Sequence, residues 1–393
     1  MRSRLVLTSL ALTLGVSAGC SQDVEPSIPS ITQPTDLPEQ PTPSATADGD
    51  GTGDDDDGRA GSNDRGGPPE LVETIADSLE VPWGVDFLPD GAAVVTERIS
   101  ARVLLVEPDG SRTRLGVLSD TVAQGEAGLL GVAVSPDFDT DRSLYFYLTT
   151  ESDNRVVTAQ LEANGPGSAR LGEPTVVLDS IPAGFIHDGG RIAFGPDGFL
   201  YVTTGETGDP ALAQDPQSLA GKILRIAPDG DPAPGNPDPD SPVWSLGHRN
   251  VQGLAWDDDG RLWASEFGDS TWDELNLIEK GGNYGWPEVE GTGGGDRFID
   301  PQRVWPVEDA SPSGLAWADG HLWMGALRGQ RLWRIAVDRA GDAARPRAFF
   351  SGELGRIRTV VTTPDDSLWL TTSNRDGRGQ PTADDDRVVE VRP

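Results

Sequence analysis

Trp83-Gly84-Val85-Asp86-Phe87-Leu88-Pro89-Asp90-Gly91 runs into Ala93-Val94-Val95-Thr96, and this stretch decides the fold. Apolar residues alternate on both sides of a Pro-Asp-Gly turn. Pro presets φ, Asp bonds its own backbone and Gly accepts positive φ. The flanks have the period of two that half-buried strands show. The same sentence is repeated five more times. Leu130-Gly131-Val132-Ala133-Val134 leads through Pro136-Asp137 to Leu144-Tyr145-Phe146-Tyr147, and Arg191-Ile192-Ala193-Phe194 through Pro196-Asp197-Gly198 to Leu200-Tyr201-Val202-Thr203. Gly253-Leu254-Ala255-Trp256 precedes Leu262-Trp263-Ala264, Gly314-Leu315-Ala316-Trp317 precedes Leu322-Trp323-Met324, and Thr359-Val360-Val361 precedes Leu368-Trp369-Leu370.

Copies recur every roughly 45 to 60 residues, which leaves room for two more strands per unit. Val103-Leu104-Leu105-Val106 and Ile223-Leu224-Arg225-Ile226 read as such outer strands. The expectation is an all-β protein, a six-bladed β-propeller with four-stranded antiparallel blades over 70–393. A β-sandwich or a pair of barrels would not repeat one hairpin six times. The C-terminal Val388-Val389-Glu390-Val391 is expected to pair with a strand near Leu71-Val72-Glu73, closing the ring and hiding sheet edges.

Upstream of the repeats the chain changes character. Arg2 and Arg4 precede a mostly apolar stretch, Leu5 to Val16, of 12 residues, which reads as a secretory signal and is too short to span a bilayer. It ends in Ser17-Ala18-Gly19-Cys20, which resembles a bacterial lipobox, so residues 1–20 read as a lipoprotein signal with lipidation at Cys20. An ordinary cleavable signal with an incidental Cys is the alternative. Residues 21–69 hold 11 acidic residues against two arginines, many prolines and no aromatic residue. Such a segment cannot bury enough apolar area to offset its chain entropy and is expected to be a disordered, acidic, Pro-rich linker. An exported, extracytoplasmic protein anchored to the cell membrane only through its N-terminal lipid is the localisation these features imply.

The 393 residues carry 31 Lys+Arg against 64 Asp+Glu, a formal charge of −33, which argues against nucleic acid or an anionic membrane surface as a partner. The single Cys excludes a disulfide framework and any Cys-rich zinc or iron–sulfur site.

Polar exceptions gather where the hairpins begin and end. Of three histidines, His187 and His248 lie just before the third and fourth hairpins beside glycines, while His321 sits in a turn and reads as structural. His187 is the candidate general base, because imidazole titrates nearest neutral pH, and Glu206 at the end of the paired strand could orient it. Capping a turn is the plainer role for His187. Arg249, Arg328, Arg356 and Arg358 also flank blades. In an acidic protein such a set either holds a multi-carboxylate anion or makes salt bridges between blades. Ser265-Glu266-Phe267-Gly268-Asp269-Ser270-Thr271-Trp272-Asp273-Glu274-Leu275-Asn276 is dense in oxygen donors, suits Ca²⁺, and lacks EF-hand spacing. A polar surface loop is the alternative for it.

Gly125-Glu126-Ala127-Gly128-Leu129-Leu130-Gly131, His187-Asp188-Gly189-Gly190-Arg191, Gly221-Lys222-Ile223-Leu224-Arg225, Gly247-His248-Arg249-Asn250, Asp273-Glu274-Leu275-Asn276 and Gly281-Gly282-Asn283-Tyr284-Gly285-Trp286-Pro287 follow one another in order. Together they resemble the glucose/sorbosone dehydrogenase family, soluble quinoproteins that use pyrroloquinoline quinone (PQQ), and within it the aldose sugar dehydrogenases. The resemblance runs through most of 75–390 and implies a six-bladed propeller. It implies PQQ-dependent oxidation of an aldose at the anomeric carbon to the lactone, with Ca²⁺ polarising the quinone and electrons leaving to an external acceptor. His187 then matches the base that takes the anomeric hydroxyl proton while hydride leaves for the quinone. Glu206 matches the supporting carboxylate, where a well-studied member has Asp. Arg249 and Asn250 match groups on the quinone oxygens, with Arg249 stabilising the developing oxyanion, and Arg356 and Arg358 match the pair on the cofactor carboxylates. Arg328 stands where that member has Lys. Gly268 and Asp269 match the backbone carbonyls on Ca²⁺, and Glu126 stands where that member has a Gln near the substrate. Two other functions fit a six-bladed scaffold: a Ca²⁺-dependent sugar lactonase-type hydrolase, which needs no cofactor arginines, and a non-catalytic extracellular binding propeller.

Overall fold

The structure is a computed structural model, and it describes residues 66–162 and 168–393. The expected signal, Cys20 and the linker up to residue 65 lie outside the described residues.

Six antiparallel sheets form the blades. The first takes Pro82–Phe87, Ala93–Glu97, Arg102–Val106 and Arg112–Val117. The second takes Leu129–Val134, Ser143–Thr149, Asn154–Glu162 and Thr175–Ile181, with Arg170–Leu171 as an extra piece on its third strand. Ile192–Phe194, Leu200–Thr203, Lys222–Ile226 and Val243–Leu246 make the third, and Val251–Trp256, Leu262–Glu266, Trp272–Ile278 and Arg303–Pro306 the fourth. Pro312–Ala318, His321–Ala326, Arg331–Ala336 and Arg347–Phe349 make the fifth. The sixth combines Ile357–Thr362, Leu368–Thr372 and Val388–Arg392 with Glu70–Ala76 from the start of the domain. Each of the six repeated hairpins is the inner pair of one blade. Leu71 pairs with Val391 and Ala76 with Val388, so the expected closure is the one observed.

The turns behave as their residues dictate. Gly91 adopts φ +91° and Asp90 accepts the N–H of Ala92 at 3.2 Å. The second hairpin differs: Pro136-Asp137 feeds a four-residue helix, Phe138–Asp141, because no Gly follows Asp137 to make the tight turn.

Six apolar clusters lie between neighbouring blades. The second strands supply a repeated large residue to them: Tyr145, Tyr201, Trp263, Trp323 and Trp369 are all buried. At the axis the innermost strands crowd together. A Cβ on Gly84 would lie 2.7 Å from the carbonyl oxygen of Leu130 in the next blade, and one on Gly131 only 2.3 Å from that of Gly190. Register shifts interrupt the inner pair in five blades, as between Pro82 and Val85 or Ile357 and Thr359. Such irregularities re-aim side chains, and Trp83, Gln252, Ser313 and Arg358 all sit at them, at one end of the channel.

Candidate active site

His187 immediately precedes the third blade's inner hairpin, and Glu206 follows it. The His187 Nδ1 meets Glu206 Oε1 in a short hydrogen bond, with Glu206 buried. An imidazole whose Nδ1–H is donated to a carboxylate presents a lone pair at Nε2. That atom has no hydrogen-bond partner among the described residues. Backbone contacts fix the pair: Gly205 bridges to Asn250, Glu206 N donates to Arg249 O at 2.9 Å, and a Cβ on Gly205 would fall 1.8 Å from His187 O. Next door Asp188 accepts from Asn154 and Gly184, yet burial pushes its carboxyl up to about 6.

The fourth blade repeats the arrangement with another outcome. His248 Nδ1 pairs with Glu266 Oε2 at 2.8 Å, but its Nε2 meets Ser245 Oγ at 2.8 Å and its ring stacks on Tyr284. His248 is 0% exposed and both nitrogens are used, so it is a structural residue. His321, as expected, is also structural: its Nδ1 lies 2.5 Å from Asp319 O.

Arginines converge on the same end of the channel. Arg358 donates to Gln252 Oε1 at 2.5 Å, and its guanidinium lies 5.7 Å from the Trp83 ring centroid. Arg191, which the sequence reading left without a role, lies over the same ring at 4.3 Å. Neither has an ion-pair partner among the described residues, and burial presses both down to about 9. Buried guanidiniums without a direct ion pair are costly; the nearby Asp376 charge relieves part of that cost at Arg358, and an anion placed among them would relieve more. Arg356, by contrast, pairs with Asp376 at 3.0 Å; burial would raise that carboxyl, but Arg356 and Arg358 hold it below the usual range. The two arginines make different direct hydrogen bonds, Arg356 to Asp376 and Arg358 to Gln252. Arg249 packs 5.3 Å from the Trp286 ring centroid and pairs with Asp269 at 3.1 Å. Asn250 accepts the N–H of Gly189 at 3.1 Å. Arg328 follows the second strand of the fifth blade, is exposed, and is not joined to the other arginines by any hydrogen bond.

The oxygen-rich stretch is not one loop. Asp273, Glu274 and Asn276 are buried on a strand, and only residues 267–271 connect. The N–H of Gly268 goes to Asp273 Oδ1, and those of Asp269, Ser270, Thr271 and Trp272 all go to Glu290 Oε1, at 2.7 to 3.1 Å. The carbonyls of Gly268 and Asp269 accept no hydrogen bond among the described residues. No group of three or more His, Cys, Asp or Glu side chains there is arranged to hold a metal, so a cation at this loop would use backbone oxygens.

Glu126 lies at the mouth, with Oε2 accepting the N–H of His187 at 3.0 Å and Oε1 paired with Arg378 at 2.9 Å. Trp83, Arg98, Gln252, Asp376 and Arg378 line this cleft with Glu126 and Arg358, and the sequence reading missed the first five. Arg98, Asp376 and Arg378 could have been found by the rule that found Glu206 and Arg328: each closely follows the second strand of a blade.

Comparison with known proteins agrees with this geometry. Residues 79–380 match the family model described as glucose / sorbosone dehydrogenase. The fold is similar to the PQQ-bound form of an aldose sugar dehydrogenase from Streptomyces coelicolor, at 53% identity and a TM-score of 0.81 over 82% of this chain and 97% of that one. Quinoprotein glucose dehydrogenase B of Acinetobacter calcoaceticus is 33% identical over 56% of this chain and 52% of its own length. Aldose sugar dehydrogenase YliI of Escherichia coli is 29% identical over 78% of this chain and 91% of its own length. With the model matched across all six blades, the chain belongs to the glucose/sorbosone dehydrogenase family.

Proposed function

We propose that this protein oxidises an aldose at its anomeric carbon to the lactone, with PQQ and Ca²⁺ as cofactors, and passes the electrons to an external acceptor. The observation that carries the reading is the His187–Glu206 pair, oriented at Nδ1 and open at Nε2, beside the buried guanidiniums of Arg358 and Arg191, which make no direct ion pair among the described residues. Four buried polar atoms at the site have no protein partner: Arg249 Nε, Asn250 Nδ2, Arg358 Nε and Glu206 Oε2. Unsatisfied buried groups cost about 1–3 kcal/mol each, so the three N–H groups support a ligand rich in acceptor oxygens, and Glu206 Oε2 a donor such as a hydroxyl.

When bound, PQQ supplies the two-electron oxidant and Ca²⁺ the Lewis acid that polarises it. His187 Nε2 accepts the proton of the anomeric hydroxyl, while Glu206 keeps the other proton on Nδ1 and stabilises the imidazolium that results. Arg356 and Arg358 hold the cofactor's carboxylates as planar donors, and Arg328 adds positive charge at the same end of the channel. Arg249 and Asn250, each with an N–H that has no protein partner, would donate to its carbonyl oxygens and stabilise charge there. Gly268 and Asp269 hold Ca²⁺ through their carbonyl oxygens.

The test adds PQQ and Ca²⁺ to the purified protein and follows dye reduction with a panel of aldoses. Turnover is expected; the absence of both turnover and quinone binding would sink the proposal, and lactone hydrolysis without quinone would replace it with a lactonase. Attachment to the membrane through a lipid on Cys20 is part of the same proposal. Cys20→Ser should move the protein from the membrane fraction to the soluble one.

A further inference from the structure

Two carboxylates grip His187, one at each end. Glu206 holds the ring, and Glu126 Oε2 accepts the backbone N–H at 3.0 Å. His187 needs such a grip, because its φ of +58° is a conformation that non-glycine residues keep only when their surroundings enforce it. Glu126 is itself bolted from three sides. Arg98 Nη1 donates to Gly125 O at 2.7 Å and Ala127 O at 3.2 Å. Glu126 N donates to Phe185 O at 3.0 Å, and Arg378 Nη1 donates to Glu126 Oε1 at 2.9 Å. Both carboxylate oxygens are therefore committed to protein donors. Burial raises the Glu126 carboxyl, but the His187 N–H and the Arg378 guanidinium outweigh it and hold the group below its usual range.

Arg378 is anchored in turn. Its N–H donates to Asp376 Oδ1 at 2.9 Å, and Asp376 Oδ2 accepts from Arg356 at 3.0 Å. A continuous chain of polar contacts thus runs from the sixth blade, through Arg356, Asp376, Arg378 and Glu126, to the backbone of the base on the third. We infer that Arg378 is a positioning residue: through Glu126 it fixes the backbone of His187, and Glu126 serves the base rather than the sugar. The inference rests on the dehydrogenase reading above for what His187 does. The Arg378 side chain is 51% exposed, so its removal should leave the fold intact, at a modest cost in stability for the mostly buried Glu126, which keeps the His187 N–H as a donor.

The experiment measures amide hydrogen exchange of the peptide containing His187 in the PQQ-free protein, then steady-state kinetics after reconstitution. Arg378→Ala should speed that exchange ~10-fold or more, because the acceptor is no longer held in place. It should lower kcat by about 10-fold while the KM for the sugar and the affinity for PQQ change by less than about 2-fold. Arg378→Lys should recover most of both losses. In a Glu126→Ala background Arg378→Ala should add nothing, as expected for two members of one chain of contacts. Unchanged exchange would overturn the inference. So would a raised KM or weakened PQQ binding with kcat preserved, since Arg378 would then touch a ligand directly. If the wild-type protein oxidises no aldose, the dehydrogenase reading fails, while exchange in the PQQ-free protein still decides whether Arg378 holds His187.

Discussion

His187 and His248 occupy equivalent places in adjacent blades, and each pairs Nδ1 with a glutamate that closes the same hairpin. What separates them is the second nitrogen. Ser245 and Tyr284 seal His248, whereas His187 Nε2 has no hydrogen-bond partner among the described residues. The two should therefore fail differently. His187→Ala should cost ~10²–10⁴ in kcat, the usual worth of a general base, and leave PQQ binding and melting temperature nearly unchanged. His248→Ala should cost about 2–4 kcal/mol in urea unfolding, from a cavity and orphaned partners. Turnover that survives in the first variant would mean that another group is the base. The His187–Glu206 pair was legible in the sequence because both residues flank one hairpin. The placement of Arg98, Asp376 and Arg378 after second strands was legible by the same rule, but the contact of Arg378 with Glu126 was not, because ring closure brings residue 126 to residue 378.

At the scale of elements, the segment 267–271 shows how two carboxylates shape a loop that leaves the carbonyls of Gly268 and Asp269 without a hydrogen-bond donor among the described residues. Asp273 and Glu290 draw five successive N–H groups toward themselves. The density of oxygen donors was visible in the sequence, but not the division between loop and strand that buries Asp273 and Glu274. Burial pushes Asp273 up to about 7 and, with Glu266 beside it, Glu274 up to about 8. Asp86, Asp188 and Asp386 are pushed up to about 6, also by burial. A carboxyl whose folded pKa is raised stabilises the fold fully below its unfolded value and loses that contribution as pH rises through the folded value. Lys222, Arg191 and Arg358 are pushed down, to about 8, 9 and 9, and act with the opposite sign only above that range. Between pH 5 and 8 the metal-free protein should therefore lose stability as pH rises. A cation at the loop would compensate the charge that the buried Asp273 carboxylate carries once ionised, so millimolar Ca²⁺ should raise the melting temperature more at pH 8 than at pH 5.5. A melting temperature that climbs with pH, or a Ca²⁺ effect equal at both values, would remove the electrostatic account of the loop.

For the molecule as a whole, the formal charge of −33 obscured a small set of buried cations, and the ring depends on one seam. Glu70–Ala76 is the outer strand of a blade whose other three strands come from the far end of the domain. Ile75, Ala76 and Leu79 pack with Val85, Val95, Val106, Trp369 and Val388 between the last blade and the first. Ser78 N and Leu79 N donate to Asp384 O and Asp386 O at 2.9 Å, tying the seam to the segment that carries Asp376 and Arg378. Just before the strand, Arg334 of the fifth blade donates to the carbonyls of Gly66 and Gly67. The exposed Arg392–Glu70 ion pair at 3.1 Å contributes little by comparison. A protein beginning at residue 66 should therefore keep the melting temperature of the full chain. One beginning at residue 78 loses the strand and its apolar contacts, and Val388–Arg392 becomes an unpaired edge beside exposed core, which invites association. The net stability of a domain is only about 5–15 kcal/mol, and this loss should consume most of it. Size-exclusion chromatography and thermal unfolding of the two truncations decide the matter: a monomeric, equally stable protein starting at residue 78 would mean that the interblade clusters close the ring without the seam.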